Sequence, residues 1–170
     1  DVQIVSSTPA VERRGRVAVQ CINAGKHVYL DKPLAGTLAE IDAIATASAK
    51  ANIRTQMYSL INASWVRAAK DAIQQGLVGE LKAVHVENLF AKGRPGTVPI
   101  GTVRQEKERV DRFTYIEAKR EMFDVGVYCI GIAHWLTERK TESVSCITGN
   151  YFYREHANVD VEDFGALALT

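Results

Sequence analysis

The sequence predicts an α/β fold. A doubly wound parallel sheet comes first, and an α+β region with a half-covered, mostly antiparallel sheet follows. Two observations carry this. Residues 2–57 alternate strand, helix, strand, helix, strand, the order of parallel βαβ units. Near residue 81 the apolar pattern changes to alternation (LKAVHVENLF, 81–90), which suits strands covered on one face.

The first strand is read in VQIVS (2–6), a β-branched run without polar alternation that suits burial on both faces. Ser7-Thr8-Pro9 turns the chain into a helix over 12–24, with Val17, Ala18, Cys21 and Ile22 on one side. Gly25 stands where a left-handed helix end belongs, and Lys26 complements the helix C-terminus. His27-Val28-Tyr29-Leu30 is the second strand, ending in Asp31-Lys32-Pro33. Thr37 and Glu40 form a capping box for a helix to about residue 50, and residues 53–57 read as the third strand.

Residues 64–75 predict a helix with a stripe of Trp65, Ala69, Ala72 and Ile73, closed by Gly76. Residues 92–103 hold three glycines and two prolines and read as a loop. Residues 104–121 carry eleven charged side chains, either a solvated segment or a flap over a substrate. Met122 to Leu136 is apolar nearly all round and predicts a buried helix, with Asp124 and Tyr128 four residues apart on one face and His134 as a satisfied core or interface histidine. Strands are expected at 143–153 and 163–170, with a polar link at 154–162.

Composition narrows the function classes. The chain has 170 residues, 46% of them hydrophobic and 24% charged, enough for one domain or parts of two. Lys+Arg is 21 against Asp+Glu 20, which argues against a dedicated nucleic-acid binder or a basic membrane-surface protein. No apolar run approaches the roughly 20 residues of a membrane span. Cys21, Cys129 and Cys146 are dispersed and odd in number, so neither a disulfide framework nor a CxxC zinc pattern is expected, and a reducing, cytoplasmic setting is. The four histidines suggest no metal site. The chain opens at Asp1 directly before a strand and closes within one, so an internal stretch of a longer protein is expected.

Ligands of open parallel sheets bind beyond the carboxyl ends of the strands. Ser7-Thr8-Pro9 and Asp31-Lys32-Pro33 stand at two such ends. For the first the alternative is a turn that starts a helix; for the second it is a charged pair facing solvent. Asp124 could equally stabilise its helix N-terminus, and Tyr128 could be a core tyrosine. No GxGxxG, HExxH, GxSxG or phosphate-loop motif occurs.

Ser7-Thr8-Pro9, a helix, and then Ala24-Gly25-Lys26-His27-Val28-Tyr29-Leu30-Asp31-Lys32-Pro33-Leu34-Ala35 resembles the "TP … AGKHVxxEKPxA" signature of the Gfo/Idh/MocA oxidoreductases. Asp124-x-Gly126-x-Tyr128 looks like the family's DxGxH/Y motif, and Asp160 to Leu169 like its "vdDxgxlxl" strand. The resemblance covers nearly the whole chain and is patchy between 90 and 120. Departures are Asp31 for the usual Glu, Arg14 about where many relatives have His, Met57-Tyr58-Ser59-Leu60 in place of an Asn/Arg pattern, Tyr128 for His, and Lys119-Arg120-Glu121 for a glycine run.

The resemblance implies the C-terminal half of a Rossmann-like domain over 1–58, its Gly-rich loop lying upstream, and part of a substrate and dimerisation domain with a large open sheet over 59–170. It implies NAD or NADP as cofactor, a sugar, polyol or related small-molecule substrate, and a dimer or tetramer built through the open sheet. Lys32 and Tyr128 would be catalytic, Asp124 would orient substrate, and Ser7, Thr8, Pro9, Asp31, Lys32 and Pro33 would border the cofactor. A family-consistent alternative is NAD-assisted glycosidic cleavage, and another is a non-catalytic dinucleotide sensor or repressor.

Overall fold

The structure, a computed structural model, describes residues 2–89 and 116–170. The loop expected at 92–103 and the charged residues 104–115 lie outside the described residues. The chain forms two compact units, Asp1–Ser59 and Leu60–Thr170.

The first unit runs β1 (Ile4–Ser7), α1 (Val11–Asn23), β2 (His27–Leu30), α2 (Leu38–Ala51) and β3 (Thr55–Met57). Its three strands are parallel in the order β1-β2-β3, with Ser7 opposite Leu30 and Leu30 opposite Met57. Crossovers of one hand stepping in one direction lay their helices on one face of the sheet. Accordingly α1 and α2 share a single core: Ala18 and Ile22, Val28 and Leu30 of β2, Ala35, and Ile44 of α2. The expectation of strands buried on both faces is corrected on this point. Tyr29, which points away from that core, is 38% exposed, and Ile4 on β1 is 65% exposed.

The helix ends follow their local chemistry. Gly25 takes φ 73° just past α1, and Asn52 takes φ 51° to close α2. Thr37 Oγ1 accepts the Glu40 N–H at 3.2 Å, and Glu40 Oε2 accepts the Gly36 N–H at 3.2 Å. Gly15 sets the spacing of the two helices. A Cβ there would lie 2.6 Å from Glu40 Cβ, closer than packing allows.

The second unit contains a 3-10 turn (Leu60–Asn62), α3 (Ser64–Gln74), a 3-10 turn (Ile116–Lys119), a π-helical turn (Met122–Gly126), α4 (Val127–Thr137), β4 (Val144–Gly149), α5 (Arg154–Ala157) and β5 (Phe164–Leu169). β4 and β5 pair antiparallel. The core is Val66, Ile132 and Leu136, with Ala69, Ile73, Val84, Val86 and Trp135 packed against it.

Several expectations change here. Among the described residues, 81–89 pair with no strand, although Val84 and Val86 turn inward while His85 and Glu87 are exposed. Side-chain alternation reports a covered face; a strand also needs a hydrogen-bonded partner. On α3, Val66 is fully buried and Trp65 is 57% exposed, so the buried stripe runs through Val66 and Lys70 instead of Trp65. The helix expected at Met122 to Leu136 opens as a π turn and is largely half-buried. His134 on it is exposed and bonds Thr141 Oγ1 at 2.8 Å. β4 stops at Gly149 because Tyr151, Phe152 and Tyr153 donate their N–H groups to the Asp163 carboxylate, at 2.8, 2.9 and 2.7 Å. The link at 154–162 contains the short α5.

Lys70 joins α3 to the end of α4. Its ammonium is 2.9 Å from Trp135 O, 3.3 Å from Leu136 O and 2.7 Å from Glu138 Oε1, and it stands 5.5 Å over the Trp135 ring. A buried cation on the last carbonyls of a helix meets both its dipole and its unbonded acceptors. Lys70→Met keeps the aliphatic stem and removes every donor. It is expected to lower stability by about 2 kcal/mol in urea unfolding of the full-length protein.

Candidate functional site

Parallel pairing brings the carboxyl ends of β1, β2 and β3 to one edge. Asp31 N–H donates to Ser7 O at 3.4 Å, and Tyr58 N–H donates to Leu30 O at 2.7 Å. The segments Ser7-Thr8-Pro9 and Asp31-Lys32-Pro33 leave the sheet side by side there. The Lys32–Pro33 peptide is cis. Ser7 Oγ is buried and has no hydrogen-bond partner among the described residues. Such a hydroxyl costs stability unless something bonds it, so it fits a polar ligand at this edge.

Arg14 binds the two segments together. It lies on the buried side of α1 with Val11, Ala18 and Ile22, and its side chain is 5% exposed. Nε and Nη2 donate to Pro9 O at 3.2 and 2.9 Å, and Nη1 donates to Pro33 O. Nη2 also stands 3.6 Å from Asp31 Oδ2. The other oxygen of that carboxylate, Oδ1, accepts the Lys32 N–H at 2.8 Å. Burial pulls the guanidinium pKa down, and the charges of Asp31 and Glu12 oppose this. Arginine stays protonated across the physiological range, so the grip is permanently cationic.

Sequence reasoning noted Arg14 as a replacement for His and gave it no role. The available signal was its position: Arg14, Ala18 and Ile22 recur at intervals of four, which places a cation on the core-facing stripe.

In the second unit Asp124 lies in the π turn and Tyr128 at the start of α4, both half-buried. The turn is anchored by Asp124 N–H donating to Arg120 O at 2.7 Å. Arg120 pairs with Glu117, donates to Asp160 O at 3.1 Å and to Glu162 Oε2 at 2.8 Å. Its pKa is raised, first by the hydrogen bonds it donates to Glu117 and then by the one it donates to Glu162. Arg120 thus ties the π turn to the segment leading into β5. Beside Tyr128, burial pushes the Cys129 thiol pKa up, which removes it as a thiolate nucleophile at neutral pH. The structure therefore groups Ser7, Thr8, Pro9, Asp31, Lys32 and Pro33 at one sheet edge, and Asp124 with Tyr128 on one helical segment. Among the described residues no cluster of His, Cys, Asp and Glu has the arrangement of a metal site.

Comparison with known proteins agrees with this architecture. Residues 1–59 match the family model described as "Oxidoreductase family, NAD-binding Rossmann fold". Residues 66–170 match the GFO/IDH/MocA C-terminal domain. The chain is 37% identical over 87 residues to 1,5-anhydro-D-fructose reductase of Ensifer adhaerens, which covers 51% of this chain and 26% of the relative. It is 25% identical over 162 residues to inositol 2-dehydrogenase of Salmonella typhimurium, covering 94% of this chain and 41% of the relative. Among solved structures, myo-inositol 2-dehydrogenase from Lactobacillus plantarum superposes with a TM-score of 0.75 at 18% identity, over 100% of this chain and 48% of that one. The chain spans less than half the length of each of these relatives. With both of its units matched along nearly their whole extent, the chain belongs to the Gfo/Idh/MocA oxidoreductase family.

Proposed function

We propose that this chain is part of an NAD- or NADP-dependent dehydrogenase or reductase acting on a secondary alcohol or ketone of a sugar, polyol or related small molecule. The observation that carries the reading is the sheet edge, where two strand-end segments, an unbonded buried hydroxyl and Lys32 meet. The relatives named as an inositol dehydrogenase and an anhydrofructose reductase support this substrate class.

Ser7, Thr8, Pro9, Asp31 and Pro33 would border the cofactor, and Lys32 would hydrogen-bond its ribose and the substrate oxygen. When bound, the nicotinamide supplies or accepts the hydride. The chain's own residues must handle the proton of the alcohol. Tyr128 is the acid/base, and since a free tyrosine titrates near ~10, it needs a cation to work at neutral pH. The family resemblance assigns the catalytic lysine to Lys32 and the orienting of the substrate to Asp124. The test is a titration of the full-length protein with NADH and NADPH, followed by turnover on a panel of polyols and sugars read at the NADH absorbance. Micromolar binding with turnover on at least one polyol is expected. Binding without turnover on any of them would favour the sensor reading, and release of free sugar without net NADH change would favour the glycosidase.

The protein forms a dimer or tetramer through its open sheet. Directly paired residues share a face, so Ser145, Ile147, Phe164, Ala166 and Ala168 lie together on one side of β4–β5. That side is exposed, Ile147 by 67%, and an apolar sheet face of this kind needs a cover. Ile147→Lys is expected to shift the full-length protein to a smaller species in sedimentation velocity. An unchanged sedimentation coefficient would remove this face from the interface.

A further inference from the structure

We propose that Arg14 is the positioning residue for Lys32, the side chain that sets where the cofactor-facing lysine stands. This rests on the dehydrogenase reading and adds to it a residue that touches neither cofactor nor substrate. Three geometric facts converge. Lys32 is flanked by two residues that the same guanidinium holds, Asp31 through its carboxylate and Pro33 through its carbonyl. The carboxylate facing Arg14 with one oxygen holds the Lys32 N–H with the other, so the Arg14–Asp31 contact is transmitted to the Lys32 backbone in one step. The remaining donors reach Pro9 O, so the Ser7–Pro9 segment is indexed to the same group.

A guanidinium is suited to this because its donors diverge from a rigid plane toward several acceptors at once. An ammonium is a point charge with no fixed plane. Lysine at this position would keep the charge beside Asp31 and lose the simultaneous grip on Pro9 and Pro33.

Arg14→Lys in the full-length protein is the test, with Arg14→Gln as a second variant. Two readouts are combined: amide hydrogen exchange in the apoprotein, and dinucleotide affinity by titration. Exchange at the Lys32 amide is expected to quicken at least tenfold in both variants, while amides within α1 and α2 keep their protection. Dinucleotide affinity is expected to weaken about tenfold, and kcat to fall more than the substrate KM changes. If the Lys32 amide exchanges as in the parent, the brace does not exist and the proposal fails. If α1 and α2 lose protection together with Lys32, Arg14 is a general stabiliser of the unit and the proposal fails as well. If the parent protein binds no dinucleotide, the dehydrogenase reading fails, and the exchange experiment still decides the brace by itself.

Discussion

Lys32→Met is expected to lower turnover of the full-length protein by about 10²–10⁴, the range that a positioned acid/base system contributes. The substitution preserves most of the side-chain volume and leaves the Lys32 N–H free to keep its bond to Asp31 Oδ1. A fall in kcat would therefore report the lost cation and not a collapsed loop. Tyr128→Phe removes one oxygen from the start of α4 and is expected to give a loss of similar size. Activity within tenfold of the parent for either variant, on the true substrate, would refute the acid/base assignment.

The largest effect on stability is expected at Asp163. Its carboxylate collects three successive N–H groups, those of Tyr151, Phe152 and Tyr153, and the residue is 8% exposed. Hydrogen bonds to a charged acceptor are stronger than neutral ones. Asp163→Ala removes all three, that of the buried Tyr153 among them, and is expected to cost about 3 kcal/mol. Asp163→Asn retains one carbonyl oxygen and should cost less. The measurement is the urea midpoint at unchanged slope, with far-UV dichroism confirming that the native state is kept. Equal midpoints for the alanine variant and the parent would show that water replaces the carboxylate without penalty.

The parts that were legible in the sequence are the ones governed by neighbours along the chain. The capping box at Thr37 and Glu40, the left-handed Gly25 and the strand His27–Leu30 all depend on residues within a turn or two. The Thr8-Pro9 and Asp31-Lys32-Pro33 segments were placed by the general rule for strand ends. What was not legible depends on distant partners. Lys70 reads as a surface lysine until Trp135 and Leu136, 65 and 66 residues away, arrive above it. Residues 81–89 have the alternation of a strand, and periodicity does not reveal that they pair with no strand among the described residues. Trp65 illustrates a third cause: helical spacing put it on a stripe with Ala69, Ala72 and Ile73, whereas the buried position is that of its smaller neighbour Val66. The grouping of Lys32 with Tyr128 rests on the family resemblance, since no spacing rule connects residues that far apart.

Glu40 closes the N-terminus of α2 and also presents the surface against which Gly15 lies. The two positions consequently share one fate in sequence drift. A lineage that gains even an alanine at 15 must move α2 outward or remodel residue 40, and a change at 40 that relieves the crowding gives up the cap. Single steps in either direction are disfavoured, so homologous chains should show these positions changing as a pair. The spacing of two helices is inherited through two codons twenty-five residues apart, one of which encodes no side chain at all.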